Sequence, residues 1–190
     1  MADGALARFF DRARKEAFWR DTIFAVVADH GARVYGSQTV PVLSYEIPLL
    51  IVGPAVVQAP ARIDVPGCQL DVAPTLLGLI GRPYDTVFYG RNLLAPAAQR
   101  FALLNHNRSV AIYRDPNLVA LSLGKVVERF TRTDRNTLNR QSLDEPAQEA
   151  ARDATALFQT ADELYSQRRY HIQPAGTAGH LGFQSPNLPQ

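Results

Sequence analysis

The sequence is poor in the features that mark cross-linked, nucleic-acid-binding or membrane-spanning chains. It has one cysteine, Cys68, in 190 residues, which excludes an internal disulfide and leaves the redox compartment open. Its 20 Lys and Arg nearly balance its 18 Asp and Glu, and no basic run stands out, so we expect no nucleic-acid partner. No apolar run approaches the roughly 20 residues of a membrane helix. The start also lacks the apolar core of a signal peptide. We therefore expect a soluble chain without a targeting signal of its own.

The first half of the sequence has the pattern of an α/β domain. The continuous apolar run 22–28 predicts a strand that is buried on both faces, as in a parallel sheet. A second such run spans 47–52. Amphipathic periodicity predicts a helix over 5–18, and a further helix is predicted over 70–80, where Asp71 is placed to cap its start.

The second half changes character. Short β-rich runs between 101 and 131 are separated by turn residues, which predicts an antiparallel meander. A long amphipathic helix is predicted over 144–169, followed by an irregular tail rich in Gly, Pro, Gln and Ser. The expected architecture is a buried, mostly parallel sheet with helices, plus a small C-terminal antiparallel sheet and a long helix. The expected division of the chain is 1–98, 99–170 and 171–190.

One pair of residues carries possible chemistry. Asp29 and His30 directly follow the first predicted strand, and ligands of open α/β sheets bind at the carboxyl ends of strands. A carboxylate and an imidazole there can hold a divalent metal, at about 2.0–2.2 Å for zinc. Gly31 allows a sharp turn after them. From spacing alone, a cap with a surface histidine remains the alternative.

Four motifs give this pair a context. Val26–Gly31, Tyr45–Pro54, Asp71–Gly81 and Gly90–Leu94 resemble, in the same order, the C-terminal part of the sulfatase family of the alkaline-phosphatase superfamily. The resemblance covers residues 2 to about 95. Within the family it is strongest to lipoteichoic acid synthases, phosphoglycerol transferases and phosphoethanolamine transferases. It implies a partial alkaline-phosphatase-like sandwich.

The resemblance also implies a function. It makes Asp29 and His30 metal ligands, for Zn or Mn, in an enzyme that attacks a phosphate-ester head group with a metal-activated hydroxyl and forms a covalent phospho-enzyme. The other half of such a site, a Glu and a nucleophilic Thr, lies upstream in the family and has no counterpart here. We therefore expect a C-terminal fragment that is inactive alone. Its parent is expected to be anchored in the inner membrane with an extracytoplasmic catalytic domain.

Two other readings stay open. One alternative is that the parent is a true sulfatase, and the other is that the chain is a truncated, non-catalytic pseudoenzyme that acts by association. A chain without its neighbouring strands exposes sheet edges and apolar faces, so self-association is expected.

The remaining candidates are weaker. Cys68 lacks the Cys-x-Pro-x-Arg setting of a sulfatase nucleophile and is expected to be a packing residue. Arg33 and Tyr35 are either phosphate contacts or, preferably, part of a solvated loop. His106 is preferred as a surface-turn residue over a pocket residue. Arg91 is expected to support the loop that carries the capping residue before the 70–80 helix, with no catalytic part.

Overall fold

The computed structural model describes residues 2–32, 38–96 and 100–170. Within these ranges the chain forms three α-helices and seven β-strands, joined by short 3₁₀ turns. The helices are α1 (Ala2–Ala13), α2 (Val72–Ile80) and α3 (Glu145–Ser166). The strands are β1 (Phe24–Val27), β2 (Leu49–Val52), β3 (Ala102–His106), β4 (Ser109–Arg114), β5 (Asn117–Ser122), β6 (Val126–Arg132) and β7 (Leu138–Gln141). None of the described helices has the length and apolar character needed to cross a bilayer.

The first helix is shorter than its periodicity predicts. It ends at Ala13, and after a turn the chain continues as a 3₁₀ helix over Ala17–Asp21. The apolar side chains of both segments meet on Phe24 of β1, whose ring contacts those of Phe10 and Trp19 edge-on or tilted at 5.6 and 5.3 Å between centroids. An aromatic cluster therefore ties the N-terminal segment to the first strand.

The first two strands form a two-stranded antiparallel sheet. Phe24 lies opposite Val52, and Val27 lies opposite Leu49. The prediction that the two runs are neighbouring strands is confirmed, but the prediction of a mostly parallel sheet buried on both faces is wrong for the described residues. Val27 is 38% exposed and Leu50 is 46% exposed. A continuous apolar run reports hydrophobicity but not strand direction, which here is set by the connection that brings residues 49–52 back alongside 24–27.

The predicted C-terminal antiparallel sheet is confirmed and is larger than expected. Strands β3 to β7 are each paired with the next along the chain, and every pairing is antiparallel. The fifth strand, Leu138–Gln141, was not predicted because it is a mostly exposed, polar edge strand without the apolar alternation that marks a half-buried one.

Both faces of this five-stranded sheet are covered. The predicted long helix, α3, packs on one face through four alanines and begins at Asp144, whose Oδ1 accepts the Ala147 N–H at 3.0 Å. The segment 38–45 covers the other face, with Val40 fully buried between the two layers. The segment 38–45, which precedes β2, is therefore part of the core of the second half. The predicted irregular tail, 171–190, lies outside the described residues.

A buried carboxylate organises the turn before α2. Asp71 is 1% exposed, and its Oδ2 accepts the backbone N–H of Cys68 at 2.8 Å while its Oδ1 accepts that of Arg91 at 2.7 Å. The hydroxyl of Thr75, one turn later, donates to the Asp71 carbonyl at 2.6 Å and accepts the Leu93 N–H at 2.9 Å. Two side chains thus fasten the loop 90–93 to the start of the helix.

This arrangement corrects the predicted role of Asp71. Its side chain makes no capping bond to α2; it reaches back to the preceding 3₁₀ turn, Gln69–Asp71, and across to the loop. Sequence spacing showed the possible cap but not the loop 20 residues further on. Gly90 marks that loop, because a Cβ atom there would lie 1.8 Å from the Leu70 carbonyl oxygen.

Replacing Asp71 by Asn tests this arrangement. The variant places an amide NH₂ against a backbone N–H and removes the charge from two buried hydrogen bonds, so we expect the free energy of unfolding to fall by about 3 kcal/mol in urea titrations. Asp64→Asn is the control, because Asp64 is an exposed partner of Arg62 and should cost no more than about 0.5 kcal/mol. Equal stability of the two variants would contradict the buried role of Asp71.

Candidate metal centre

Asp29 and His30 lie side by side just beyond the end of β1, as the sequence predicts. Their side chains are 89% and 76% exposed. Among residues 2–32, 38–96 and 100–170, no three His, Cys, Asp or Glu side chains come together as a metal-binding group. The described residues therefore present a two-donor pair that faces solvent.

The imidazole of His30 is oriented by the backbone that follows it. Its Nδ1 lies 2.8 Å from the carbonyl oxygen of Gly31. Because a carbonyl can only accept, Nδ1 carries the hydrogen of this bond, and the neutral tautomer with that hydrogen has its lone pair on Nε2. Metal-binding histidines are held in this way by their second ring nitrogen.

The carboxylate of Asp29 points to the same side. Its Oδ1 accepts the backbone N–H of His30 at 2.9 Å, and its Oδ2 lies 3.8 Å from the Nε2 of His30. Two ligands about 2.1 Å from a tetrahedral ion are roughly 3.4 Å apart. The 3.8 Å between these two atoms is therefore close to the separation of two ligands on one ion, and a carboxylate with an imidazole is a donor set that suits zinc or manganese.

The turn that carries this pair is held from two directions. The N–H of Gly31 donates to the carbonyl oxygen of Ser44 at 3.0 Å. A Cβ atom at Gly31 would lie 2.7 Å from that oxygen and 2.8 Å from the carbonyl oxygen of Glu46, so the close approach requires glycine. From the other direction, the side-chain amide of Gln69 donates to the carbonyl oxygen of Ala28 at 2.8 Å.

The Ser44 side of the turn is anchored to the five-stranded sheet. The hydroxyl of Tyr45 donates to the carbonyl oxygen of Asn105 at 2.6 Å, and it therefore accepts the hydrogen of His106 Nδ1, at 2.9 Å. Partial burial raises the pKa of the Tyr45 phenol, which keeps it a donor at neutral pH. His106 is the last residue of β3 and its ring is partnered, so its preferred assignment to a surface turn is wrong. Its side chain has a structural partner that sequence spacing did not reveal.

Of the remaining candidate residues, Cys68 and Arg91 lie in the described part of the chain. Cys68 packs against the core of the five-stranded sheet, which confirms the packing assignment. Burial raises the pKa of its thiol, and the nearby Asp71 carboxylate adds to that effect, so the thiol is not activated as a nucleophile. The support expected from Arg91 comes from its backbone N–H, which donates to Asp71. Arg33 and Tyr35 lie outside the described residues.

Comparison with known proteins agrees with this architecture. Residues 1–82 match the family model described as Sulfatase. A solved structure of a protein in the alkaline phosphatase superfamily from Vibrio parahaemolyticus is similar to the chain, with 37% identity and a TM-score of 0.77. The similarity covers 89% of this chain and 41% of the Vibrio chain, so the sequence spans less than half the length of that relative.

The structural similarity extends beyond the residues that match the family model. Since 89% of the chain is matched, it includes much of the five-stranded sheet and α3 as well as residues 1–82. The expected fold, an α/β chain with a C-terminal antiparallel sheet and a long helix that is similar to part of an alkaline phosphatase superfamily structure, is confirmed. The ligand roles of Asp29 and His30, and the division of the chain at 98/99, stay predictions.

Proposed function

We propose that this chain contributes Asp29 and His30 to the divalent-metal site of a sulfatase-superfamily enzyme that acts on phosphate-ester head groups. The observation that carries the proposal is the orientation of the pair. His30 Nδ1 is bonded to the Gly31 carbonyl oxygen, and the other ring nitrogen, Nε2, lies 3.8 Å from Asp29 Oδ2.

The division of labour at such a site follows from these groups. A bound metal would lower the pKa of the attacking hydroxyl and neutralise charge on the phosphoryl oxygens. The part of this chain is to hold the metal with one anionic and one neutral donor. Two protein ligands fall short of the three that catalytic zinc sites normally keep, so the remaining ligands and the nucleophile are proposed to come from sequence outside this chain.

The finer assignment rests on the motif resemblance. The motifs Val26–Gly31 and Asp71–Gly81 favour a phosphoglycerol- or phosphoethanolamine-type transferase, or a phosphodiester hydrolase, whose catalytic domain is extracytoplasmic and membrane-anchored. A true sulfatase remains the alternative within the superfamily.

Metal titration of the 190-residue chain tests the ligand pair. We expect weak Zn²⁺ or Mn²⁺ binding that His30→Ala abolishes and Asp29→Asn weakens at least tenfold, because each substitution removes one of two donors. Binding is followed by calorimetry and by Mn²⁺-induced broadening of histidine ring signals in NMR spectra. Asp64→Asn is the control, because Asp64 is also an exposed carboxylate and forms an ion pair with Arg62. If His30→Ala binds metal with the affinity of the wild type, Asp29 and His30 form a structural turn and are not metal ligands.

Activity assays test the proposed incompleteness of the site. With metal added, the 190-residue chain should turn over neither p-nitrophenyl phosphodiesters, p-nitrophenyl sulfate nor lipid head-group diesters, because it lacks an identified nucleophile. In a longer protein that joins this chain to an upstream sulfatase-family segment with its Thr, His30→Ala should abolish turnover.

The longer protein also separates the alternatives. Preference for phosphodiesters supports the transferase or hydrolase assignment, and preference for the sulfate ester supports a true sulfatase. Metal-dependent turnover by the 190-residue chain would show that the nucleophile lies within it.

Self-association is the second candidate, and one surface favours it. Phe9 and Phe18 are each about half exposed and line a groove on α1 together with Arg8, Arg12 and Glu16. An apolar groove with charges of both signs suits an isologous contact with a second copy, in which Arg of one chain faces Glu of the other.

Sedimentation of the 190-residue chain checks this surface. We expect a concentration-dependent dimer that Phe18→Ser weakens, since the substitution removes exposed apolar area from the groove. Leu123→Ser is the control, because Leu123 is 65% exposed but lies between β5 and β6. A monomer of 21.0 kDa at high concentration would exclude association.

A further inference from the structure

The metal turn itself has no regular secondary structure, so something must fix its shape. Residues 28–32 lie beyond β1, and the Asp29 and His30 side chains are free in solvent apart from their contacts with each other and with Gly31. The separation of Asp29 Oδ2 and His30 Nε2 therefore depends on the backbone dihedral angles of the turn. A contact that restrains those peptide units restrains the metal site.

Gln69 makes such a contact. Its side-chain Nε2 lies 2.8 Å from the Ala28 carbonyl oxygen and 3.4 Å from the Asp29 carbonyl oxygen. Both partners are acceptors, which fixes the amide nitrogen at this end of the side chain, and its two hydrogens match the two carbonyls. These are the peptide units immediately before and after the Cα of Asp29.

The position of Gln69 is itself fixed from the interior. It begins the 3₁₀ turn Gln69–Asp71, which the buried Asp71 carboxylate fastens to Cys68 and to Arg91. The Gln69 residue is exposed, whereas Asp71 two positions later is buried. The turn thus carries a restraint from the core out to a solvent-facing pair of ligands.

We propose that Gln69 is a positioning residue for the metal site. It holds the Ala28 and Asp29 carbonyls so that the donor atoms of Asp29 and His30 stay at a separation that lets both bind one metal ion. This inference rests on the proposed ligand role of the pair. It assigns no direct contact with metal or substrate to Gln69. Preorganisation of this kind adds affinity because the ordering of the ligands precedes binding.

The test is metal affinity measured beside stability. Gln69→Met keeps the length of the side chain and removes both N–H donors. We expect it to weaken Mn²⁺ and Zn²⁺ binding by the 190-residue chain about tenfold, within the range typical of residues that orient metal ligands. Because Gln69 is exposed, the melting temperature of the Gln69→Met variant should match that of the wild type. NMR order parameters of the His30 amide should fall in the metal-free variant, which shows the loosened turn directly.

Two comparison variants separate the outcomes. Gln148→Met, at an exposed position on α3, should bind metal like the wild type. His30→Ala sets the level without the ligand. If His30→Ala loses binding while Gln69→Met keeps it, the positioning role is overturned and the ligand pair stands. If His30→Ala binds like the wild type, the ligand pair fails and the role of Gln69 fails with it. If Gln69→Met lowers the melting temperature as well as the metal affinity, the role of Gln69 is structural, and this outcome also overturns the proposal.

Discussion

The structure around the candidate metal site depends on the hydrogen bonds that the buried Asp71 carboxylate accepts. It accepts backbone N–H groups from two segments that are 23 residues apart in sequence, Cys68 and Arg91, and is shielded almost completely from water. Charge-assisted bonds of this kind are strong when buried and costly to break, because the donors have no water to replace the lost acceptor. Their geometric result is a rigid 3₁₀ turn ahead of α2, whose first residue faces the Asp29–His30 turn.

The five-stranded sheet provides the second support. It is covered on one face by α3 and on the other by the segment 38–45, whose Val40 and Val42 are buried in the core of the second half. The hydroxyl of Tyr45 ties this segment to β3 by donating to the carbonyl oxygen of Asn105, and the N–H of Gly31 ties the turn to the segment by donating to the carbonyl oxygen of Ser44. The C-terminal half therefore contributes to the proposed function as a rigid base, although it carries none of the proposed ligands.

How far the sequence predicts this structure depends on the range of the interactions. The meander and α3 are predictable because turn residues and apolar periodicity are local signals, and the motif at Asp29 marks the end of β1 equally well. Strand direction in β1 and β2 is not local, since it depends on the path of the whole connection between them. The hydrogen bond between Asp71 and Arg91 could not be predicted from the motif Asp71–Gly81, because a backbone N–H can be offered by almost any residue type.

Glycine is the signal that reveals part of what spacing misses. At Gly31 and Gly90 the backbone of another segment occupies the space where a Cβ atom would lie, so both mark close approaches between distant segments. Gln69 has no such signal. An exposed glutamine three residues before a helix is ordinary in sequence, and its contact with Ala28 becomes apparent only when the turn and the strand end are brought together.

The central claim is that Asp29 and His30 face one shared metal position. Anomalous diffraction at the zinc edge, from crystals of the 190-residue chain soaked in zinc, tests it most directly. The account predicts an anomalous peak about 2.0–2.2 Å from both Asp29 Oδ2 and His30 Nε2, with His30 Nδ1 still bonded to the Gly31 carbonyl. A peak on another histidine with none between these two atoms, or zinc on His30 Nδ1 with the ring turned away from Asp29, would contradict it.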